Sequence, residues 1–467
     1  MSGIHNLSAA ELSRAYARGE LSPVEATAAA LARIEAWESK INAMFIVNRE
    51  QAHADARASE ARWRGKHPQS ALDGVPITIK ENIYTRGDAA PIGTKANLGA
   101  PAPDADAPPA ARVREAGCVI LGKTTMPDYG MLSSGLSSMH GITRNPWQLD
   151  RNTSGSSSGA GAAAVAGYGP LHLGTDIGGS VRLPATHCGI FALKPTLGRV
   201  PVNPPFIGRV TGPMTRTVID SAMLMNELAK PDTRDYMSIA YQPIDYVAAL
   251  AGNLDMWART LRIAFIPDMR CGLSVHPEVR ASAQAAARAL EQLGAKVEEI
   301  PSFLTGEMLD SVCRFFEARS YNDVAELPAE RRDRILPFIN AWCTHRARGF
   351  SGRDVMASLN ALFAIREAAI RATAPYDFVI SPTSPILPYE AELACPGNDP
   401  HNALPHIAFT VPYNMSEQPA ASINWTQSAD GLPIGVQVIG RRFDDAGVLR
   451  LARVLETLRP KQRAWPD

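Results

Sequence analysis

Three side chains stand out by type and setting: Lys80, Ser156 and Ser180. Ser180 closes the run Gly174-Thr175-Asp176-Ile177-Gly178-Gly179-Ser180, and Val181 and Arg182 follow it. A cluster rich in serine and glycine, Thr153 to Gly161, lies just upstream, and Lys80 ends the apolar run Val75-Pro76-Ile77-Thr78-Ile79. A hydroxyl becomes a nucleophile only beside a proton acceptor. No histidine is comparably marked. The residue types therefore point to a serine hydrolase whose base is a lysine.

The cluster itself fits three patterns. Gly159-Ala160-Gly161-Ala162-Ala163-Ala164 satisfies the dinucleotide fingerprint G-x-G-x-x-G/A. That motif needs a buried strand immediately before it, and what precedes it here is polar. A P-loop fails, since no Gly-Lys-Ser/Thr closes the stretch. Gly155-Ser156-Ser157-Ser158-Gly159 matches the elbow G-x-S-x-G of an esterase with Ser157 as nucleophile. The elbow also needs a leading strand, then an acid and a histidine. His172 and His187 come too soon, while His345 and His406 sit in no marked context. In the third pattern the cluster positions a bridging serine for a second serine downstream. A flexible linker fits poorly, because an alanine-rich helix follows at once.

A fold must bring residues 80, 156 and 180 together. From about 72 to 230, short apolar runs (Val75–Ile79, Val119–Leu121, Ile190–Leu193) read as buried strands. They alternate with Gly-, Ser-, Thr- and Pro-rich loops and with a helix at Ala160–Ala166, which predicts an α/β sheet covered by helices. Ahead of this block, Ser8-Ala9-Ala10-Glu11 and Ser22-Pro23-Val24-Glu25 read as capping boxes opening two helices. A third helix is expected near Ala52–Trp63. Residues 231–375 are more charged, with a strand at Ile263–Ile266 and helices at 277–293, 306–325 and 353–372. Strands return at Asp377–Ser381 and Ile434–Ile439, and a last helix runs near Asp445–Leu455.

The bulk numbers narrow the class. A chain of 467 residues can bury a large core, as about three domains or one large α/β unit. Lys+Arg and Asp+Glu are 47 each, so no net field attracts nucleic acid or an anionic membrane. The six cysteines lie far apart without a C-x-x-C pair, which argues against structural zinc and a disulfide framework. There is no H-E-x-x-H. No apolar stretch approaches the roughly 18 residues of a membrane span, and Met1–Ala10 lacks the pattern of a signal peptide. A soluble, reducing compartment, the cytoplasm, is expected.

Longer motifs now become informative. Leu72-Asp73-Gly74-Val75-Pro76-Ile77-Thr78-Ile79-Lys80-Glu81-Asn82, Leu121-Gly122-Lys123-Thr124-Thr125-Met126, the serine cluster, and Gly174 through Ala185 occur in that order. Cys188-Gly189-Ile190, Leu193-Lys194-Pro195-Thr196, Ser381-Pro382-Thr383 and Gly431-Leu432-Pro433-Ile434-Gly435-Val436-Gln437 follow. Together these resemble the amidase signature family of serine hydrolases, over most of the chain and least in 231–375.

The resemblance implies one amidase domain over 1–467, built on a large mixed, mostly parallel β-sheet covered on both sides by helices. Within it fall N-terminal helices (1–70), the signature catalytic core (72–230), a helical substrate-facing cover (231–375) and a C-terminal return to the sheet (376–467). It implies a Ser-cisSer-Lys unit: Ser180 as nucleophile, Ser156 as bridge after a cis peptide, Lys80 as base. The serines stand 24 residues apart, as that family has them. Where the family usually writes Gly-Gly-Ser-Ser-Gly-Gly, this chain has Ser154-Gly155-Ser156-Ser157-Ser158-Gly159.

A free lysine has a pKa of about 10.4, and lowering it by about three units costs roughly 4 kcal/mol. Lys80 must therefore be buried to serve as a base. Backbone N–H groups of Ile177, Gly178, Gly179 and Ser180 are expected to form an oxyanion hole for the acyl-enzyme chemistry, with an Asp176–Arg182 ion pair holding their loop and Ser157 in support. Gly130, Met131 and Ser156 are the expected substrate contacts. Met126, Tyr129, Leu132 and Met139 are candidates for an apolar acyl pocket, and Phe315, Phe316, Tyr321, Phe338 and Trp342 for a helical lid. The expected substrate is a small-molecule amide, with no metal, organic cofactor, nucleic acid or membrane involved, the chain acting alone or as a homodimer. The rival within the family is the A subunit of a tRNA-dependent amidotransferase. Those subunits commonly carry Thr and Gln around the nucleophile loop, where this chain has Ile177 and Leu183.

Overall fold

The computed structural model describes residues 3–467. Both capping boxes form: Ser8 and Ser22 accept from the backbone N–H groups of Glu11 and Glu25, whose carboxylates accept in return. They start the helices Ala9–Arg18 and Pro23–Ile41, and a third helix spans Arg49–Arg64. No helix among the described residues is long and apolar enough to cross a membrane.

One sheet of 11 strands organises the chain. From edge to edge its strands are Met44–Val47, Val119–Thr124, Pro76–Lys80, Leu171–Asp176, Val210–Thr215, Phe191–Lys194, Ala420–Gln427, Pro433–Gly440, Phe378–Pro382, Arg262–Phe265 and Lys296–Glu299. The mixed sheet is as expected. Its parallel pairings are confined to two blocks: Pro76–Lys80 with its two neighbours, and Arg262–Phe265 with its two. The other six pairings are antiparallel, so parallel pairing dominates those blocks and not the sheet. A short connection accounts for one of these six. The turn between Ala420–Gln427 and Pro433–Gly440 has no room for the crossover that parallel strands require.

Alternation along the strands separates two faces. Along Pro433–Gly440, Val436 and Val438 join the core cluster of the helices Pro277–Leu293 and Asp445–Leu458. Gly435 and Gln437 instead bond to Thr186 and Arg182 of the short helix Arg182–Cys188 on the opposite side. Along Pro76–Lys80, Ile77 and Ile79 enter the same core cluster, which turns Thr78 and Lys80 to the other face. The helices Gly306–Ala325, Pro337–His345 and Gly352–Thr373 supply a further cluster. The segment 231–375 is thus not helical cover alone, because two of its strands extend the sheet.

Buried small residues set the helix that follows the serine cluster, Ser158–Ala166, directly on the sheet. A Cβ added to Gly159 would lie 2.3 Å from the Ala43 carbonyl oxygen and 2.5 Å from the Thr125 nitrogen. The glycines that mimic a nucleotide fingerprint are there for close backbone packing. Gly159→Ala should lower stability by about 1–3 kcal/mol through overpacking, read as a drop in Tm.

Candidate active site

Strand pairing brings the predicted residues to the C-terminal ends of two adjacent interior strands. Pro76–Lys80 and Leu171–Asp176 run parallel, with Ile77 opposite Leu171 and Ile79 opposite Leu173. Lys80 therefore ends beside Thr175 and Asp176, just before the turn that carries Ser180. Ser156 lies in the turn leading into Ser158–Ala166, and the Gly155–Ser156 peptide bond is cis.

Lys80 is fully buried. Its Nζ donates to Ser156 Oγ at 2.7 Å, Ser157 Oγ at 3.1 Å and Thr175 Oγ1 at 3.0 Å. Burial lowers its pKa to about 7, against the opposing pull of Asp176 and Glu81. No carboxylate contacts it. Lys123 and Lys194 are also buried and likewise pulled down to about 7 by burial. They donate to the backbone carbonyls of Ile83 and Pro195, so only Lys80 has hydroxyls leading toward a cavity.

Ser157 is not the nucleophile of an elbow. It is fully buried, and its hydroxyl is held between Lys80 and Thr175, donating to the Thr175 carbonyl at 3.2 Å. His172 is equally enclosed, bonded to Thr78 and the Gly169 carbonyl oxygen. Burial depresses its pKa to about 3, so it is a neutral structural residue. The Ser157 hydroxyl supports the lysine instead.

The loop carrying Ser180 is fixed by a buried ion pair. Arg182 donates to both oxygens of Asp176, at 3.1 and 3.0 Å, and neither side chain is exposed. Its remaining donors reach the Thr410 carbonyl, Gln437 and Asn414, and Asn414 also donates to Asp176 at 2.8 Å. Burial alone would raise the Asp176 pKa, but Arg182 and Asn414 outweigh it and hold the carboxyl at about 2. Asp176 also accepts from the backbone of Gly179 at 2.8 Å and Val181 at 3.2 Å. This corrects one expectation: the Gly179 N–H is committed to Asp176 and is not free for an oxyanion. Among the described residues the amides of Ile177, Gly178 and Ser180 donate to no protein acceptor.

Two contiguous cavities meet at Ser180, sharing Gly130, Ile177 and Arg319. One arm is apolar, with Met131, Leu132, Phe316, Trp342, Leu404 and Ile407. The other holds Ser156 with Asn82, Tyr129, Thr175 and Arg209. Gly130, Met131 and Ser156, the expected substrate contacts, line these cavities. Of the expected acyl-pocket and lid residues, Tyr129, Leu132, Phe316 and Trp342 line this space. Met126 is fully buried, Phe315 and Phe338 pack into the core, Tyr321 lines a separate surface groove, and Met139 lines neither arm. Sequence reasoning missed Asn82 and Thr175, although both lie in quoted motifs. It also missed Arg209 and Arg319, which no motif marks.

A lysine and two serines gathered at the ends of adjacent strands this way are what the amidase signature enzymes were expected to share. A model of the amidase family matches residues 25–449, and the chain belongs to that family. It is 34% identical to the A subunit of glutamyl-tRNA(Gln) amidotransferase from Myxococcus xanthus (strain DK1622), covering 97% of each chain. It is 32% identical to an acylamidase of Rhodococcus erythropolis, covering 99% of this chain and 97% of that one. Among solved structures, a bacterial aryl acylamidase of the amidase signature family matches with a TM-score of 0.88 at 28% identity, over 98% of this chain and 97% of that one.

Asp176→Asn tests the anchor. Removing one partner of a buried pair typically costs about 3–5 kcal/mol. The expected result is a large fall in Tm by calorimetry.

Proposed function

We propose that this chain hydrolyses carboxylic amides to an acid and ammonia or an amine, through an acyl-enzyme on Ser180. Ser156 bridges the proton and Lys80 is the base. The reading is carried by the 2.7 Å hydrogen bond between a fully buried, unpaired Lys80 and Ser156, which shares a cavity with Ser180. Neutral Lys80 takes the Ser156 proton as Ser156 takes that of Ser180, and the Ser180 oxygen attacks the amide carbon. The amides of Ile177, Gly178 and Ser180 stabilise the oxyanion. The leaving nitrogen then receives its proton through Ser156, and water hydrolyses the acyl-enzyme.

Several relatives are A subunits of glutamyl-tRNA(Gln) amidotransferases, which favours a second reading: a glutaminase component passing ammonia to a partner. Ile177 and Leu183 weigh against it. Copurification of a tRNA-binding partner, with glutamine as the best substrate, would make it the better description.

The test is amine or ammonia release from a panel of aliphatic, aryl and amino-acid amides. Ser180→Ala and Lys80→Met should each lower kcat by at least about 10²–10⁴-fold, and combining them should add little, since the residues act as a unit. Mass spectrometry of a trapped adduct should place the acyl group on Ser180; any other position overturns the mechanism.

The depressed pKa sets two pH dependences. A base works deprotonated, so kcat/KM should rise with pH through about 7. For stability, the folded pKa lies below the unfolded one. Burial of Lys80 therefore destabilises fully below about 7, and progressively less up to about 10.5. The full penalty is roughly 5 kcal/mol, partly offset by its three hydrogen bonds. Lys80→Met should thus abolish turnover while raising Tm at pH 7, with the gain fading toward pH 10.

A further inference from the structure

The two arms of the cavity differ in polarity: Arg209 lines only the arm that holds Ser156, whereas Arg319 borders both. Under the proposed mechanism, on which this inference rests, Ser156 hands the proton to the leaving nitrogen. The arm that holds Ser156 therefore receives the amine portion of the substrate, and the apolar arm beside Met131, Phe316 and Trp342 receives the acyl portion.

Two guanidinium groups from distant parts of the chain line the amine arm, Arg209 there alone and Arg319 at its junction with the apolar arm. Arg209 precedes the strand Val210–Thr215, and Arg319 projects from the helix Gly306–Ala325. Both are half-buried, and each lies over the ring of Phe206, at 5.5 and 4.9 Å. Phe206 positions the pair without neutralising it. Arg209 donates to the Pro204 carbonyl. The acid that acts on both, Asp323, forms an ion pair with neither. Burial and the proximity of Arg319 depress the Arg209 pKa to about 10, and burial lowers that of Arg319. Two like charges in one partly dehydrated wall call for an anion between them. On the same wall, the Tyr129 hydroxyl is buried without a partner.

We propose that Arg209 and Arg319 bind a carboxylate on the amine half of the substrate, so that the chain prefers N-acyl amino acids with an apolar acyl group. The Ser180 oxygen bonds to the acyl carbon and the C–N bond breaks. The nitrogen leaves with the Ser180 proton, relayed through Ser156, as the free amino acid. Water then adds OH to the acyl carbon and returns H to Ser180, giving the fatty or aryl acid.

Three substrates with one acyl length separate the cases: N-hexanoyl-β-alanine, neutral N-butylhexanamide, and the half-amide of adipic acid, whose carboxylate is on the acyl side. The first should have the highest kcat/KM by about tenfold or more, as one or two charge-assisted hydrogen bonds provide. Arg319→Gln and Arg209→Gln should each raise its KM about tenfold and that of the neutral amide far less, while Arg319→Lys should raise it less than Arg319→Gln does. Equal use of the neutral amide or of the half-amide overturns the proposal, as does an equal loss on all three substrates in the Gln variants.

Binding to the Ser180→Ala protein by calorimetry separates this from the hydrolase reading. A preference for N-hexanoyl-β-alanine over the neutral amide, without turnover by the intact enzyme, would uphold the anion site and sink the hydrolase. No preference in binding would sink the anion site.

Discussion

The structure turns on a lysine kept out of water with no acid in contact. An ammonium in that position is costly, so burial weakens the hold of Lys80 on its proton. Everything around Lys80 serves that outcome: a strand that buries Ile77 and Ile79 on one face and Lys80 on the other, three hydroxyls that bond an uncharged amine as well as a charged one, and acids placed at a distance. Glu81, next in the chain, is occupied by His140 and the Gly93 amide. Asp176 is taken up by Arg182 and Asn414.

The contrast with Asp176 and Arg182 is instructive. That pair is equally buried yet stays charged, because each group meets complementary donors or acceptors on nearly every side. One buried site thus retains a formal charge, while on the adjoining strand burial weakens a lysine's hold on its proton. Lys123 and Lys194 show that a depressed pKa does not by itself define a base. What distinguishes Lys80 is the partner at the end of its hydrogen bond.

Much of this was legible in the sequence. Lys80, Ser156 and Ser180 sit in long ordered motifs, the capping boxes form as written, and the helices at 277–293, 306–325 and 353–372 lie within a residue of their expected bounds. Two strands missed, Leu171–Asp176 and Val210–Thr215, carry polar side chains, glycine or proline, whereas the short edge strand Met44–Val47 was missed although it is apolar throughout. In Leu171–Asp176 the apolar alternation is broken by residues that tertiary contacts satisfy: His172 by Thr78, Asp176 by Arg182. The commitment of the Gly179 amide could not be read either, since it depends on how the Asp176 carboxylate turns. Arg209 and Arg319 converge only after a loop and a helix from separate regions fold together, and no local pattern records that.

The anchoring of Arg182 has a temporal consequence. Its bonds to Thr410, Asn414 and Gln437 tie the nucleophile turn to residues synthesised more than two hundred positions later. A nascent chain that has already emerged with its lysine and both serines still lacks the struts that aim them. The turn that carries Ser180 is therefore braced only after residues as far as Gln437 have been made.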